Sequence, residues 1–167
     1  IEPLPSSSRC FPNFVFNQRR SSGREVLTVK EVSKTYGEDV VLFDVGFKVE
    51  RGDRLAIIGP NGIGKSTLLK IIMERVDADM GEAEWGYEAT PGYFPQDHHE
   101  VLNDPKADVT SFLWDALPGE GVGGIYGRLA GVLFDKDDMS KKLDVLSGGE
   151  ATRLLLARLG AEEPTVL

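Results

Sequence analysis

The residues with the clearest chemical meaning form a glycine-rich loop at positions 59–67. The sequence Gly-Pro-Asn-Gly-Ile-Gly-Lys-Ser-Thr fits the pattern G-x-x-x-x-G-K-[ST]. Glycines allow the backbone to curl so that successive N–H groups point at a phosphate. The Lys65 side chain is suited to the β- and γ-phosphates of a nucleotide, and the Ser66 hydroxyl can bind Mg²⁺. The residues expected to contact a nucleoside triphosphate are Gly59, Asn61, Gly62, Gly64, Lys65, Ser66 and Thr67.

Two elements must hold this loop in position. Residues 54–58 (Arg-Leu-Ala-Ile-Ile) are continuously apolar after the arginine, which predicts a short strand buried on both faces of a sheet. A helix is predicted to begin near Lys65, where its positive end adds to the attraction for phosphate. The apolar positions that predict this helix are Leu68, Leu69, Ile71, Ile72 and Val76.

Hydrophobic periodicity and turn residues divide the rest of the chain. Residues 41–50 alternate between apolar and polar or small side chains, the period of a half-buried strand. The apolar positions of this strand are Phe43, Val45, Phe47 and Val49. The further expected elements are a strand at 26–30, short antiparallel strands and turns over 81–96, helical segments over 109–143 broken by a glycine-rich loop at 119–124, a helix over 149–161 and the first residues of a strand at 165–167.

Charge is distributed unevenly along the sequence. The 167 residues carry a formal net charge of −8, which argues against broad contact of the main body with nucleic-acid phosphates. Residues 1–24 differ, because four arginines against one glutamate give them a net charge of +3. Their prolines and serines are typical of an extended linker. Part of this linker is expected to dock on a surface through Phe11, Phe14 and Phe16.

Composition also bears on where the protein works. No apolar run is long enough to cross a membrane, so no membrane insertion is expected. The first residues lack the features of a secretory signal. The single cysteine, Cys10, has no partner for a disulfide and is interpreted as a reduced thiol. These features predict a cytoplasmic protein.

A second motif, Leu146-Ser147-Gly148-Gly149-Glu150, opens the predicted last helix. Taken alone, Ser147 and Glu150 have the spacing of a capping box, which caps a helix without any ligand. A helix N-terminus with a serine and bare backbone N–H groups is also a receptor for anions. The motif by itself leaves both interpretations open.

Together, the loop and this motif resemble the ABC ATPase family, whose signature sequence is LSGGQ followed by a helix. The resemblance extends over nearly all of residues 25–167. It implies that Tyr36, 23 residues before Gly59, stacks on adenine, and that Gln96 reaches Mg²⁺ and the attacking water. The alternatives are that Tyr36 packs on the sheet and that Gln96 is a solvated loop amide.

The resemblance implies an α/β fold of the P-loop NTPase type, with a mixed ATP-binding core, a small antiparallel β subdomain and an inserted helical subdomain. We expect a linker tail at 1–24, the core and β subdomain at 25–97, the helical subdomain at 98–145, and the signature helix with a strand stub at 146–167. The implied cofactors are ATP and Mg²⁺.

Members of this family work as head-to-tail pairs of ABC domains. The implied partner is a second ABC domain, either upstream in the same chain or supplied by a homodimer mate. The residues that would contact the nucleotide held by that partner are Ser147, Gly148, Gly149 and Glu150.

Two departures from the family pattern matter. Glu150 replaces the commoner glutamine, which changes little. The family's Asp-Glu pair, which binds Mg²⁺ and polarises water, is expected beyond Leu167, so the domain is interpreted as C-terminally incomplete and truncated before this Walker B segment. We therefore expect ATP binding but little hydrolysis from these residues alone, and ATPase activity in the parent protein. His98 and His99 are interpreted as exposed loop residues.

The local sequence resembles the second domain of the ABC-F class, soluble proteins that act on the translating ribosome. The stretches that carry this resemblance are 14–24, 86–98, 133–142 and 146–150. The resemblance implies ATP-driven switching on the ribosome, with rRNA met by linker elements such as residues 1–24. Two alternatives are the ATPase subunit of a membrane transporter and a non-hydrolysing regulatory module that binds ATP.

Overall fold

The computed structural model describes residues 11–18 and 20–167. Predictions that concern Cys10 and the first arginines therefore lie outside the described residues. The described chain forms two compact units. One comprises residues 18–93, apart from position 19, together with Pro164–Leu167, and the other comprises residues 11–17 and Phe94–Glu163.

The first unit contains a three-stranded antiparallel sheet and one helix. The strands are β1 (Glu25–Tyr36), β2 (Asp39–Glu50) and β3 (Met80–Trp85), in the order β2-β1-β3. The helix α1 spans Lys65–Ile72. A tight turn at Gly37 and Glu38 joins β1 to β2, and Gly37 has the positive φ of 62° that such turns favour. The predicted strands at 26–30 and 41–50 are thus present and longer than expected.

The apolar face of this sheet packs against α1. Trp85 also donates its indole N–H to the carbonyl of Ile72 at 2.9 Å, which satisfies a backbone acceptor at the end of the helix. The buried side chains of this core are Leu27, Val29, Val32, Leu42, Leu68, Ile71 and Ile72. The sheet therefore holds the helix that begins at the glycine-rich loop.

The predicted alternation of β2 holds over only part of the strand. Val45, Phe47 and Val49 are half-buried, but Phe43 is 81% exposed and Leu42 is buried in its place. The pairing of β1 with β2 shifts register in this region, and Asp44 has a positive φ of 50°. A bulge moves side chains to the opposite face of a strand, because one residue is left without a counterpart.

The predicted strand at 54–58 is wrong. These residues form no regular element, and Leu55 and Ile58 are 58% and 90% exposed. A strand buried on both faces needs hydrogen-bonding neighbours and covering layers. Within residues 11–18 and 20–167, nothing pairs with this segment. Its apolar sequence alone is insufficient to make it a strand.

The second unit is helical. It contains α2 (Val109–Ala116), α3 (Val122–Gly131) and α4 (Gly148–Ala161), with 3₁₀ turns at His98–Glu100, Asp138–Ser140 and Leu143–Val145. Part of the predicted glycine-rich loop, Gly123 and Gly124, lies inside α3. The core of this helical unit contains the fully buried side chains of Val109, Leu113, Ile125, Leu129 and Leu154.

Two predictions about the chain after α2 are confirmed. Helix α4 covers the predicted range and ends before Pro164. Val166 forms a parallel β-bridge with Pro91, as expected of residues that enter a strand.

Residues 11–17 dock on this helical unit. The N–H of Asn13 donates to the carbonyl of Gly131 at 2.8 Å, and Phe14 packs against the helical core. Phe11 and Phe16 remain 79% and 44% exposed. Of the three phenylalanines expected to dock, only Phe14 is half-buried.

Gly160 in α4 allows residues 11–17 to approach the helix closely. We expect Gly160→Ala to displace this segment from α4. A methyl group at this position would overlap the carbonyl oxygen of Val15. Such overpacking costs about 1–3 kcal/mol, so hydrogen exchange of the Asn13 amide should accelerate. The control is Gly127→Ala in α3, where a methyl group meets nothing within 4 Å. Unchanged exchange at Asn13 in Gly160→Ala would contradict the close approach.

Candidate nucleotide-binding site

The glycine-rich loop runs directly into α1. Gly64 occupies the N-cap position of this helix with a φ of 97°. Gly62 also has a positive φ value, of 85°. These angles turn the backbone around the helix N-terminus, where unpaired N–H groups attract anions.

Gly64 is also constrained by its surroundings. It is buried, and a Cβ atom there would lie 2.7 Å from both the carbonyl oxygen and the Cγ1 of Val41. Any other residue at position 64 would push the loop away from β2. The third glycine of the motif is therefore required by the packing of the sheet as well as by its backbone angle.

Lys65 lies across this loop. Its ammonium donates to the carbonyl oxygens of Gly59 and Pro60 at 2.9 and 2.6 Å. The charge is thus held at the loop by carbonyl oxygens, with no acidic partner among the residues that the structure describes. Ser66 is exposed, so its hydroxyl oxygen is accessible as a ligand, and Thr67 is half-buried. Asn61 and Gly62 are exposed at the turn of the loop.

Tyr36 ends β1 and is 50% exposed. Its ring faces the ammonium of Lys34, 5.6 Å from the ring centre. Half of the residue is covered, so stacking on adenine and packing on the sheet both stay predictions.

The second motif caps α4 through a complete capping box. The Ser147 hydroxyl accepts from the N–H of Glu150, and the Glu150 carboxylate accepts from the N–H and the hydroxyl of Ser147 at 2.8 and 2.6 Å. The capping interpretation is therefore correct. It does not exclude anion binding, because Gly148 and Gly149 carry no side chains that would shield the helix N-terminus.

The Glu150 carboxylate also binds Lys141. Nζ of Lys141 lies 2.9 Å from Oε1 of Glu150 and also contacts Asp138. Hydrogen bonds from Ser147 and Lys141 lower the pKa of Glu150 to about 2. The two carboxylates raise the pKa of Lys141 well above its ordinary value. Glu150 is thus ionised, with a cation fixed beside it.

Gln96 is exposed in a bend before the 3₁₀ turn at His98–Glu100. It belongs to the helical unit, whereas the glycine-rich loop belongs to the sheet unit. The described contacts therefore do not test its expected contact with Mg²⁺ and water.

The interpretation of His98 as an exposed loop residue is wrong. Its ring is half-buried, and its Nδ1 is buried without a hydrogen-bond partner among the described residues. Its Nε2 lies 3.4 Å from the hydroxyl of Thr152 in α4, and Thr152 itself donates to the carbonyl of Gly148 at 2.8 Å. His98 therefore joins the segment after Gln96 to the start of α4. His99 is exposed, as expected.

Sequence reasoning missed Lys141, His98 and Thr152 as neighbours of the second motif. Lys141 precedes Glu150 by nine residues and lies outside any regular element. No helical or strand periodicity links these positions, so no sequence signal was available for the pairing.

The family model described as ABC transporter matches residues 42–167, which include both the loop and the second motif. The chain belongs to this family. It is an ATP-binding ABC domain of the P-loop fold. No helix in residues 11–18 and 20–167 is long and apolar enough to cross a membrane.

Known relatives of this ABC domain are longer proteins. The putative ATP-binding protein YdiF of Bacillus subtilis is 38% identical over 156 residues, covering 93% of this chain and 24% of that protein. ABC transporter F family member 5 of Arabidopsis thaliana is 35% identical, covering 91% of this chain and 22% of that protein. The ABC domain thus spans about a quarter of the length of these relatives.

A solved structure supports the fold of this ABC domain. The dimeric MJ0796 ABC transporter cassette aligns with a TM-score of 0.65 at 24% identity, over 83% of this chain and 70% of the cassette. Because the two sequences are only 24% identical, the similarity to the cassette is evidence for the fold. The predicted ABC-type α/β fold is therefore confirmed.

Proposed function

We propose that this ABC domain binds Mg²⁺-ATP at residues 59–67 and closes on ATP against a second ABC domain. The observation that carries the proposal is that each motif contains the N-terminus of a helix. The glycine-rich loop leads into α1, and Ser147 caps α4. Each terminus presents backbone N–H groups to an anion.

The residues of the loop fit a triphosphate and its metal ion. Lys65 exchanges its bonds to the loop carbonyls for bonds to the β- and γ-phosphates, and the exposed Ser66 hydroxyl supplies a hard oxygen ligand. Tyr36 stacks on adenine, while Asn61, Gly62 and Thr67 line the phosphates. Bound Mg²⁺ would neutralise phosphate charge during transfer.

The second motif completes the site of another ABC domain in this proposal. The hydroxyl of Ser147 exchanges its bond to Glu150 for a bond to the γ-phosphate of ATP held by that domain. The bare N–H groups of Gly148 and Gly149 receive the same phosphate. The dimeric form of the MJ0796 cassette supports such a contact. The partner domain is either a second domain of the same protein or a second copy.

Hydrolysis is proposed for the whole protein. We assign Gln96 to the attacking water and to the metal site. Lys65 stabilises the charge that develops on the transferred phosphate. This assignment includes the expected division into a linker tail (1–24), core (25–97), helical part (98–145) and signature helix (146–167).

We further propose that the protein belongs to the ABC-F class and switches on the ribosome with ATP. Its similarity to ABC transporter F family member 5 supports the class. The net charge of +3 on residues 1–24 suits contact with rRNA, while the net charge of the whole chain is −8.

Co-sedimentation with ribosomes tests the cellular role. In the presence of a non-hydrolysable ATP analogue, we expect the full-length protein to pellet with ribosomes. In the presence of ADP, it should remain in the supernatant. Lys65→Ala should abolish the nucleotide dependence, because it removes the phosphate contact. Absence from the ribosomal pellet, combined with recovery in a detergent-extracted membrane complex, would replace this role with that of a transporter subunit.

A further inference from the structure

The N-terminus of α4 carries a negative charge at the place where the proposed function requires a phosphate to bind. Glu150 lies in the first turn, and its side chain is 16% exposed. A carboxylate there stabilises the helix through the macrodipole. The same carboxylate repels an approaching triphosphate, because like charges in a partly desolvated site interact strongly.

Lys141 is held against this carboxylate by several contacts. Its N–H donates to the carbonyl of Asp138 at 3.0 Å, and its carbonyl accepts from the N–H of Val109 at 3.0 Å. The backbone is thereby fixed, and Nζ bridges Glu150 and Asp138. The Lys141 side chain is 39% exposed, so its charge is partly shielded from solvent.

We propose that Lys141 is a positioning residue that neutralises Glu150, so that the N-terminus of α4 can accept the terminal phosphate of ATP bound by another ABC domain. This inference rests on the proposed function. It explains how a glutamate can occupy the fifth position of the motif. Without Lys141, the carboxylates of Glu150 and Asp138 would both be unneutralised near the incoming phosphate.

Other charges near this terminus do not replace Lys141. The guanidinium of Arg153 lies toward Gly149 and stacks over the ring of Phe134 at 5.4 Å. Among the described residues, Glu150 has no other cationic partner within ion-pair distance. Lys141 also holds Oε1 of Glu150, which leaves Oε2 as the acceptor for the Ser147 hydroxyl. It therefore sets both the charge and the geometry of the capping box.

A double-mutant cycle in the full-length protein tests the inference. Lys141→Met removes the charge but keeps an unbranched side chain, and Glu150→Gln removes the opposing charge but keeps an acceptor for Ser147. Domain closure is monitored by small-angle X-ray scattering. The quantity measured is the ATP concentration at which closure is half-saturated. Affinity for a fluorescent ADP analogue, which lacks the γ-phosphate, reports the integrity of the glycine-rich loop.

We expect Lys141→Met to raise the half-saturating ATP concentration about tenfold and to leave the affinity for ADP unchanged. In the Glu150→Gln background, the same substitution should have a smaller effect, because only Asp138 then loses its cation. Lys141→Arg, which conserves the charge, should close like the parent. A merely structural role for Lys141 would instead give equal losses in both backgrounds, and that result would overturn the inference.

Ser147→Arg separates this inference from the proposed function. If Ser147→Arg closes normally, the second motif does not receive phosphate and the proposed pairing itself fails. If Ser147→Arg blocks closure while Lys141→Met closes normally, the pairing stands and the role of Lys141 is wrong.

Discussion

Lys65→Ala should lower the affinity for a fluorescent ATP analogue by at least roughly a hundredfold. Lys65 is the cation that lies across the glycine-rich loop, where it donates to the carbonyls of Gly59 and Pro60. In the proposed complex it makes two charge-assisted hydrogen bonds to phosphate instead. Such bonds contribute about 1.5–3 kcal/mol each, and about 1.4 kcal/mol corresponds to a tenfold change in affinity.

The matched control for this prediction is Lys48→Ala on β2. It removes the same charge from the same unit but breaks only an exposed ion pair with Glu25, 3.3 Å apart. Exposed pairs of this kind contribute little, so nucleotide affinity should be retained. Measurement is by fluorescence titration with Mg²⁺ present. Equal affinity of Lys65→Ala and the parent would refute the assignment of the loop.

Ser147→Arg should abolish ATP-driven closure while leaving binding at the glycine-rich loop intact. The substitution places a bulky side chain at the N-terminus of α4, where the partner's phosphate must approach. It also removes the N-cap, which costs about 1 kcal/mol of stability. Closure is measured by ATP-dependent crosslinking between the two domains, and binding by the fluorescent analogue.

Ser147→Thr is the control for this second prediction. Threonine keeps a hydroxyl that caps the helix, so closure should persist at ATP concentrations close to those of the parent. Thermal melting of both variants reports the cost of the lost cap separately from closure. Crosslinking of Ser147→Arg to the level of the parent would show that the motif is only a helix cap.

The two motifs could be predicted from the sequence because their structure is local. Glycine at position 64 permits the φ of 97° that starts α1. The spacing of Ser147 and Glu150 is that of a capping box, which forms between neighbouring turns of one helix. Backbone angles and near-neighbour hydrogen bonds depend on few residues, so they can be recognised in a short pattern.

Elements that depend on distant partners were predicted less well. Residues 54–58 have the composition of a buried strand but form none, because a strand requires a neighbour to complete its hydrogen bonds. In β2, the bulge at Asp44 exposes Phe43 and buries Leu42. The periodicity of a strand does not reveal where its partner shifts register.

The sequence by itself determined the family, the glycine-rich loop and the cap of α4, since these follow from residue types at short spacing. Tertiary structure alone decided that Lys141 binds Glu150, that His98 reaches Thr152, and that residues 11–17 dock on Gly160. These contacts join segments with no periodic relation. Their geometry depends on how the helices pack, because side-chain interactions act over only a few ångströms.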